Sequence, residues 1–116
     1  MDEKAQELGR LLGQSEEYRT LARVSDRMKE DGDVQKLLGE VERLAQEIER
    51  AAQAGKEPSK EQVEQYDRAV QAAQTNSVYQ QVVAAQANFE KLMARVNARI
   101  YEGIKKGAAS SIITLS

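Results

Sequence analysis

Residues 69–89 read AVQAAQTNSVYQQVVAAQANF, twenty-one consecutive positions without a formal charge in a chain whose residues are 31% Asp, Glu, Lys or Arg. The amides are too frequent for a bilayer, where each unpaired one costs several kcal/mol. The stretch is also too apolar and too rich in Ala to be a solvated linker. It reads as two helical segments whose polar face is amide rather than ionic, suited to close contact with other helices. Thr75-Asn76-Ser77 separates them, because all three side chains compete for backbone hydrogen bonds, and Asn76 or Ser77 can cap the second segment.

Downstream of that break, Val78, Val82, Ala85, Phe89, Leu92, Val96, Ile100 and Ile104 recur at helical spacing. A helix from about Ser77 to Lys106 is roughly 45 Å long. A compact domain of this size has a radius of gyration of only ~13–14 Å. The helix is therefore expected to overhang its own subunit, and its apolar seam to need cover from a second chain. A homodimer is the expected assembly, with Val78, Val82, Ala85, Phe89, Leu92, Val96 and Ile100 as the candidate interface. Gly107 is expected to stop the helix and leave 107–116 as a non-helical tail. Ile112, Ile113 and Leu115 in that tail either fray or pack as an extended segment into a groove.

Upstream, Val63, Tyr66, Val70 and Ala73 step along a fourth helix, opened by the Ser59/Gln62 capping-box pattern. The loop Ala54-Gly55-Lys56-Glu57-Pro58 precedes it. The third helix carries Val34, Leu37, Val41, Leu44, Ile48 and Ala51 at alternating steps of three and four, the a/d pattern of a coiled coil. Gly39 lies inside it and is expected to mark a close helix–helix approach. Asp31-Gly32-Asp33 supplies a stop and a new N-cap. A second helix has Tyr18, Leu21, Ser25 and Met28 on one side, Ser15 as N-cap, and Glu16 and Glu17 in its first turn. The first, from about Asp2 to Leu12, puts Ala5, Leu8, Leu11 and Leu12 on one face. The expected fold is all-α: an antiparallel bundle of about five helices with a long, coiled-coil-like C-terminal helix that dimerises. Residues 1–106 form one domain.

At 116 residues with 4% aromatics, the core rests on aliphatic side chains and is thin for its length, which oligomerisation supplements. A net charge of −2 gives no global signature for nucleic acid or anionic membrane. There is no Cys and no His, so disulfides, thiolate metal sites and imidazole chemistry are excluded. No cofactor, metal or catalytic residue is expected. The N-terminus has no secretory pattern and no run approaches membrane-spanning length, so a cytoplasmic location is expected.

The acid pairs Glu16/Glu17 and Asp31/Asp33 sit where helix capping already explains them. Asp31-Gly32-Asp33 resembles the start of a calcium loop, but Leu37 and Val41 fall where ligands belong. The four tyrosines, Tyr18, Tyr66, Tyr79 and Tyr101, lie on or beside apolar faces and are expected to pack with the hydroxyl at the rim. Lys91, Arg95, Arg99 and Lys106 share one side of the last helix. That strip suits either a phosphate or RNA contact or the ordinary stabilisation of a helix C-terminus; with no aromatic platform beside it, the second is preferred.

Taken in order, ELGRLLGQSEEYRTL (7–21), DGD (31–33), LLGEVERLAQEI (37–48), GKEPSKEQVEQY (55–66) and NSVYQQVVAAQANFEKLMARVNARI (76–100) resemble the YlbF/YmcA family of small, all-helical bacterial proteins, YheA-like members included. The similarity covers about residues 4–104. It implies an all-α fold, self-association through long helices, and no catalytic centre. It also implies a regulatory role of the kind seen in competence, sporulation, biofilm formation and RNase Y-linked mRNA processing. Members with that role carry iron–sulfur clusters on cysteines, ligands this chain does not possess. The expected function is a non-enzymatic regulator or adaptor acting through helix-mediated contact. Its expected partners are a second copy and an unidentified protein, such as a family paralogue, and neither a membrane nor nucleic acid. The alternative is an RNA-binding or chaperone-like helical protein.

Overall fold

Four of the five helices in the computed structural model start on a side-chain cap. The elements are α1 (Asp2–Gly13), α2 (Glu16–Glu30), α3 (Gly32–Gln53), α4 (Lys60–Gln74) and α5 (Ser77–Leu115). The structure describes residues 1–115, and side-chain surroundings as far as Ser110. The Ser15 hydroxyl accepts from the Tyr18 N–H at 3.1 Å to start α2. Asp31 alone separates α2 from α3, its carboxylate accepting from the Val34 N–H at 3.1 Å. Gly32 is already helical, so the aspartate rather than the glycine makes this break. The Gln35 amide reaches back over it to the Met28 carbonyl at 2.9 Å. Ser59 and Gln62 form the full reciprocal capping box of α4. Asn76 caps α5 by accepting from the Val78 and Tyr79 N–H groups at 2.9 and 3.1 Å.

The α3 C-terminus closes differently. Gly55 has φ 76°, the left-handed conformation that suits glycine. Its N–H bonds the Ala52 carbonyl, and the Lys56 N–H bonds that of Ala51 at 2.8 Å. These two bonds are the Schellman pair, and they satisfy carbonyls that a helix end would otherwise leave open.

With the short 54–59 loop between them, α3 and α4 form an antiparallel hairpin, with Val34, Leu44 and Ala73 buried. The other extensive packing is α2 on α5. The start of α2 meets α5 near Phe89 and Arg95. Everything on α5 from Asn97 to Ser110 is exposed, so the contact must run back toward Val78, antiparallel. The chain is thus two helical pairs in series, joined through the breaks at Asp31 and at Thr75-Asn76. α1 lies lightly against α2 and buries no residue.

The molecule measures 69 × 36 × 21 Å with a radius of gyration of 22.1 Å. The shortest dimension is about two helix diameters. A compact domain of this length would have a radius near ~13 Å. Helical content matches expectation, and among the described residues there is no strand. The packing, however, is an extended two-layer rod with an overhang rather than a closed bundle.

Two sequence expectations are corrected. The non-helical tail expected at 107–116 is helical over its described residues, because α5 continues through Gly107 as far as Leu115. Gly107 does not adopt positive φ, and Ala108 and Ala109 behind it favour helix, so the cost of one mid-helix glycine, about 1 kcal/mol, does not stop propagation. The side-chain packing expected of Ile112, Ile113 and Leu115 lies outside the described residues. Gly39, second, marks no close approach within the chain: a Cβ added there would meet nothing within 4 Å.

These two glycines, Gly55 and Gly39, should respond to alanine with opposite signs. Gly55→Ala forces an L-residue into left-handed space and should lower stability by about 1–2 kcal/mol. Gly39→Ala gains helix propensity in open space and should raise it by about 0.5–1 kcal/mol. Urea unfolding followed by far-ultraviolet circular dichroism reads both; a destabilising Gly39→Ala would place another chain against that face.

Candidate interaction surface

The seam of α5 changes character along its length. Val78 and Ala85 are buried within the single chain, and Val82, Phe89, Leu92 and Val96 are half-buried. Ile100 is 46% exposed, Tyr101 66% and Ile104 58%. The N-terminal part of the candidate row thus belongs to the chain's own core, and its C-terminal part is bare. Val24 on α2 is buried as well, a position outside the row read from sequence, where Tyr18, Leu21, Ser25 and Met28 mark the helix.

Tyr18 fixes the junction between the two regimes. Its ring meets Phe89 edge to face, with centroids 5.5 Å apart and planes at 60°. That geometry places the positive ring edge against the negative face and adds about 0.5–1.5 kcal/mol to simple burial. Further along α5, Arg95 reaches Glu17 across the helices at 3.6 Å. Sequence periodicity shows neither contact, because each joins residues far apart in the chain. Tyr66 and Tyr79 are half-buried, as their apolar neighbours suggest, whereas Tyr101 finds no cover in its own chain.

Beyond that junction α1 and α5 flank an open groove of about 680 Å³, lined by Leu8, Leu92, Val96 and Ile100, with Arg95 and Arg99 among its edges. Leu11, next to this wall on α1, is 52% exposed. The basic strip is not a row of free cations. Arg95 is paired with Glu17, and Arg99 holds Glu102 at 3.0 Å. A second groove of similar volume, between α2 and α5, mixes Glu16, Glu17, Lys91 and Arg95 with Thr20 and Asn88. Elsewhere on α5, Val83 is exposed beside Tyr79, Ala84 and Ala87.

Carboxylate chemistry has no special setting here. Arg43 lies between Glu40 and Glu47 on the exposed side of α3. The hydrogen bond from its guanidinium holds the Glu40 carboxyl below the ordinary carboxylate range. This is a solvent-facing set of pairs at i, i+3 and i, i+4, of the type that supports helices. Among the described residues no group of acidic side chains is placed to hold a metal ion, and no helix is long and apolar enough to cross a membrane. No buried side-chain polar atom among them lacks a partner.

Fold and surface together define an elongated all-α protein with uncovered apolar helix faces. It belongs to the YlbF/YmcA family, described as control of competence regulator ComK, whose family model matches residues 1–105. No curated protein and no solved structure matches the chain. The family description is that of a regulator rather than of a class of enzymes.

The gradient of burial along α5 separates folding from surface effects. Ala85→Asp should cost several kcal/mol of stability, because it forces a larger, charged side chain into a packed position that is only 5% exposed. Ile100→Asp should change monomer stability by less than about 0.5 kcal/mol, being a surface replacement. Thermal unfolding at dilution low enough to suppress association would check the contrast; equal losses would disprove the division of α5 into core and bare halves.

Proposed function

We propose that this chain is a non-enzymatic regulator that works by helix-mediated protein–protein contact, as a homodimer and in the cytoplasm. The observation that carries the reading is the bare apolar row of α5 beside the partly exposed apolar face of α1. A compact protein of 12.9 kDa exposes about 6,300 Å². This chain exposes 9207 Å². Uncovered apolar surface rimmed by charge is what interaction sites present. The family description adds a regulatory context, and the processes tied to relatives through the resemblance, from competence and biofilm control to RNase Y-linked mRNA processing, are the place to look for its partner. A family paralogue is the natural second protein. The chain has no cysteine with which to hold an iron–sulfur cluster, so its role in any such assembly is that of a scaffold for contacts.

The RNA-binding alternative draws on the basic strip, and the pairing of Arg95 and Arg99 with carboxylates weakens it. To use the whole strip, RNA would have to displace the carboxylates from Arg95 and Arg99, and its affinity would fall steeply with salt. Sedimentation equilibrium at micromolar concentration should return twice the chain mass, and a gel shift with total cellular RNA at physiological salt should show no complex. A monomer mass across that range, or a salt-sensitive RNA complex, would overturn the reading.

A further inference from the structure

We infer that the second copy docks through the overhang of α5, each copy's exposed row Ile100, Tyr101 and Ile104 filling the α1–α5 groove of the other; this rests on the self-association proposed above. Three observations carry it. The first is that α5 buries no side chain in its own chain between Asn97 and Ser110. Residues 97–110 are helical and exposed without exception. A helix of that length is marginal in water by itself, and in proteins its stability comes from packing an amphipathic face. The second is geometric. The groove at Leu92–Ile100 and the bare row at Ile100–Ile104 adjoin on one helix. A two-fold axis near Ile100 lets groove and row satisfy each other reciprocally, which closes the assembly at two copies instead of propagating a filament.

The third observation concerns area and charge. The chain exposes 9207 Å², well above the ~6,300 Å² of a compact monomer. A standard stable interface needs only about 800 Å² from each partner. The excess is sufficient for a dimer with surface to spare. The cations at the groove edge, Arg95 and Arg99, already have Glu17 and Glu102. Docking an apolar row between them buries no unpaired charge, which is the usual penalty at such a rim. Val83 offers an apolar patch too, but its surroundings, Gln74, Gln80 and small alanines, form a smaller depression with no complementary row beside it.

The absence of cysteine makes the test direct, because any introduced thiol is unique. Ile100→Cys and Val83→Cys are both exposed replacements that leave the monomer fold intact. Under oxidised glutathione, which takes up the electron pair released when two thiols join, Ile100→Cys should give a disulfide-linked dimer and Val83→Cys should not. Disulfides form only when Cα atoms lie within about 7 Å, so the bond reports the interface itself. In parallel, Ile104→Glu should raise the dimer Kd by at least about tenfold with unchanged helicity. A dimer by sedimentation that cross-links at Val83 and not at Ile100 overturns this surface and leaves self-association standing. A monomer at all concentrations overturns both, and assigns the bare row to a different protein.

Discussion

α5 runs about 58 Å, whereas α2, the helix that packs most extensively on it, runs about 22 Å, so the longest apolar row of the chain outreaches the cover its own chain provides. That mismatch governs the rest. From Val78 to Phe89 the row is buried or half-buried, and the aromatic contact of Phe89 with Tyr18 and the Glu17–Arg95 pair mark the end of the cover from α2. Past that point α1 alone approaches, through Leu8, and it is too short and too loosely held to close the groove. Burial of a full aliphatic side chain stabilises by roughly 1.5–3 kcal/mol, so leaving Ile100, Tyr101 and Ile104 about half in water forgoes a few kcal/mol, an amount that matters against the small net stability of a domain.

The two breaks in the rod reflect the same scarcity of contacts. Asp31 and Asn76 each end one helix pair and start the other with a single side-chain cap. A glutamine then spans each break, Gln35 to the Met28 carbonyl and Gln80 to that of Gln74. Helix ends exposed to water lose little, but these ends sit near the buried residues Val34, Ala73 and Val78, where an unpaired peptide group is costly. At the Asn76 break amide side chains satisfy them without a net charge, whereas at the other break the Asp31 carboxylate takes part. This gives a physical role to part of the charge-free stretch 69–89, which spans the second of the two breaks.

Local features were legible in the sequence because local chemistry determines them. Ser15, Ser59 and Gln62 cap in the manner their spacing predicts, and Val34 and Leu44 lie buried on the a/d face of α3. The family, too, could be read from the order of motifs. What the sequence did not show is how far packing extends. Periodicity treats Val78 and Ile100 as equivalent members of one row, yet one is buried in the chain and the other lies bare, because that difference depends on where α2 ends in space. Gly107 misled for a related reason. A glycine ends a helix only when the chain turns into left-handed geometry with bonds to secure it, as at Gly55, and a glycine followed by two alanines offers no such alternative. Gly39 likewise suggested a close neighbour because its cost is certain, while the compensating contact is non-local.

The chemistry of this surface sets what kind of partner it selects. The ion pairs of the described helices lie mostly within one helix, as at Glu40–Arg43–Glu47 and Arg99–Glu102, and such exposed pairs contribute little to stability. Their effect is to neutralise the rims and leave aliphatic rows as the distinguishing feature. A surface of that kind discriminates by the spacing of knobs along a facing helix rather than by charge or by a shaped pocket. In the dimer proposed above, association would depend on apolar area at the end of a long helix, and modest changes in that row would shift the balance between self-association and contact with a related chain. Competition of that kind is a means by which a small helical protein can regulate.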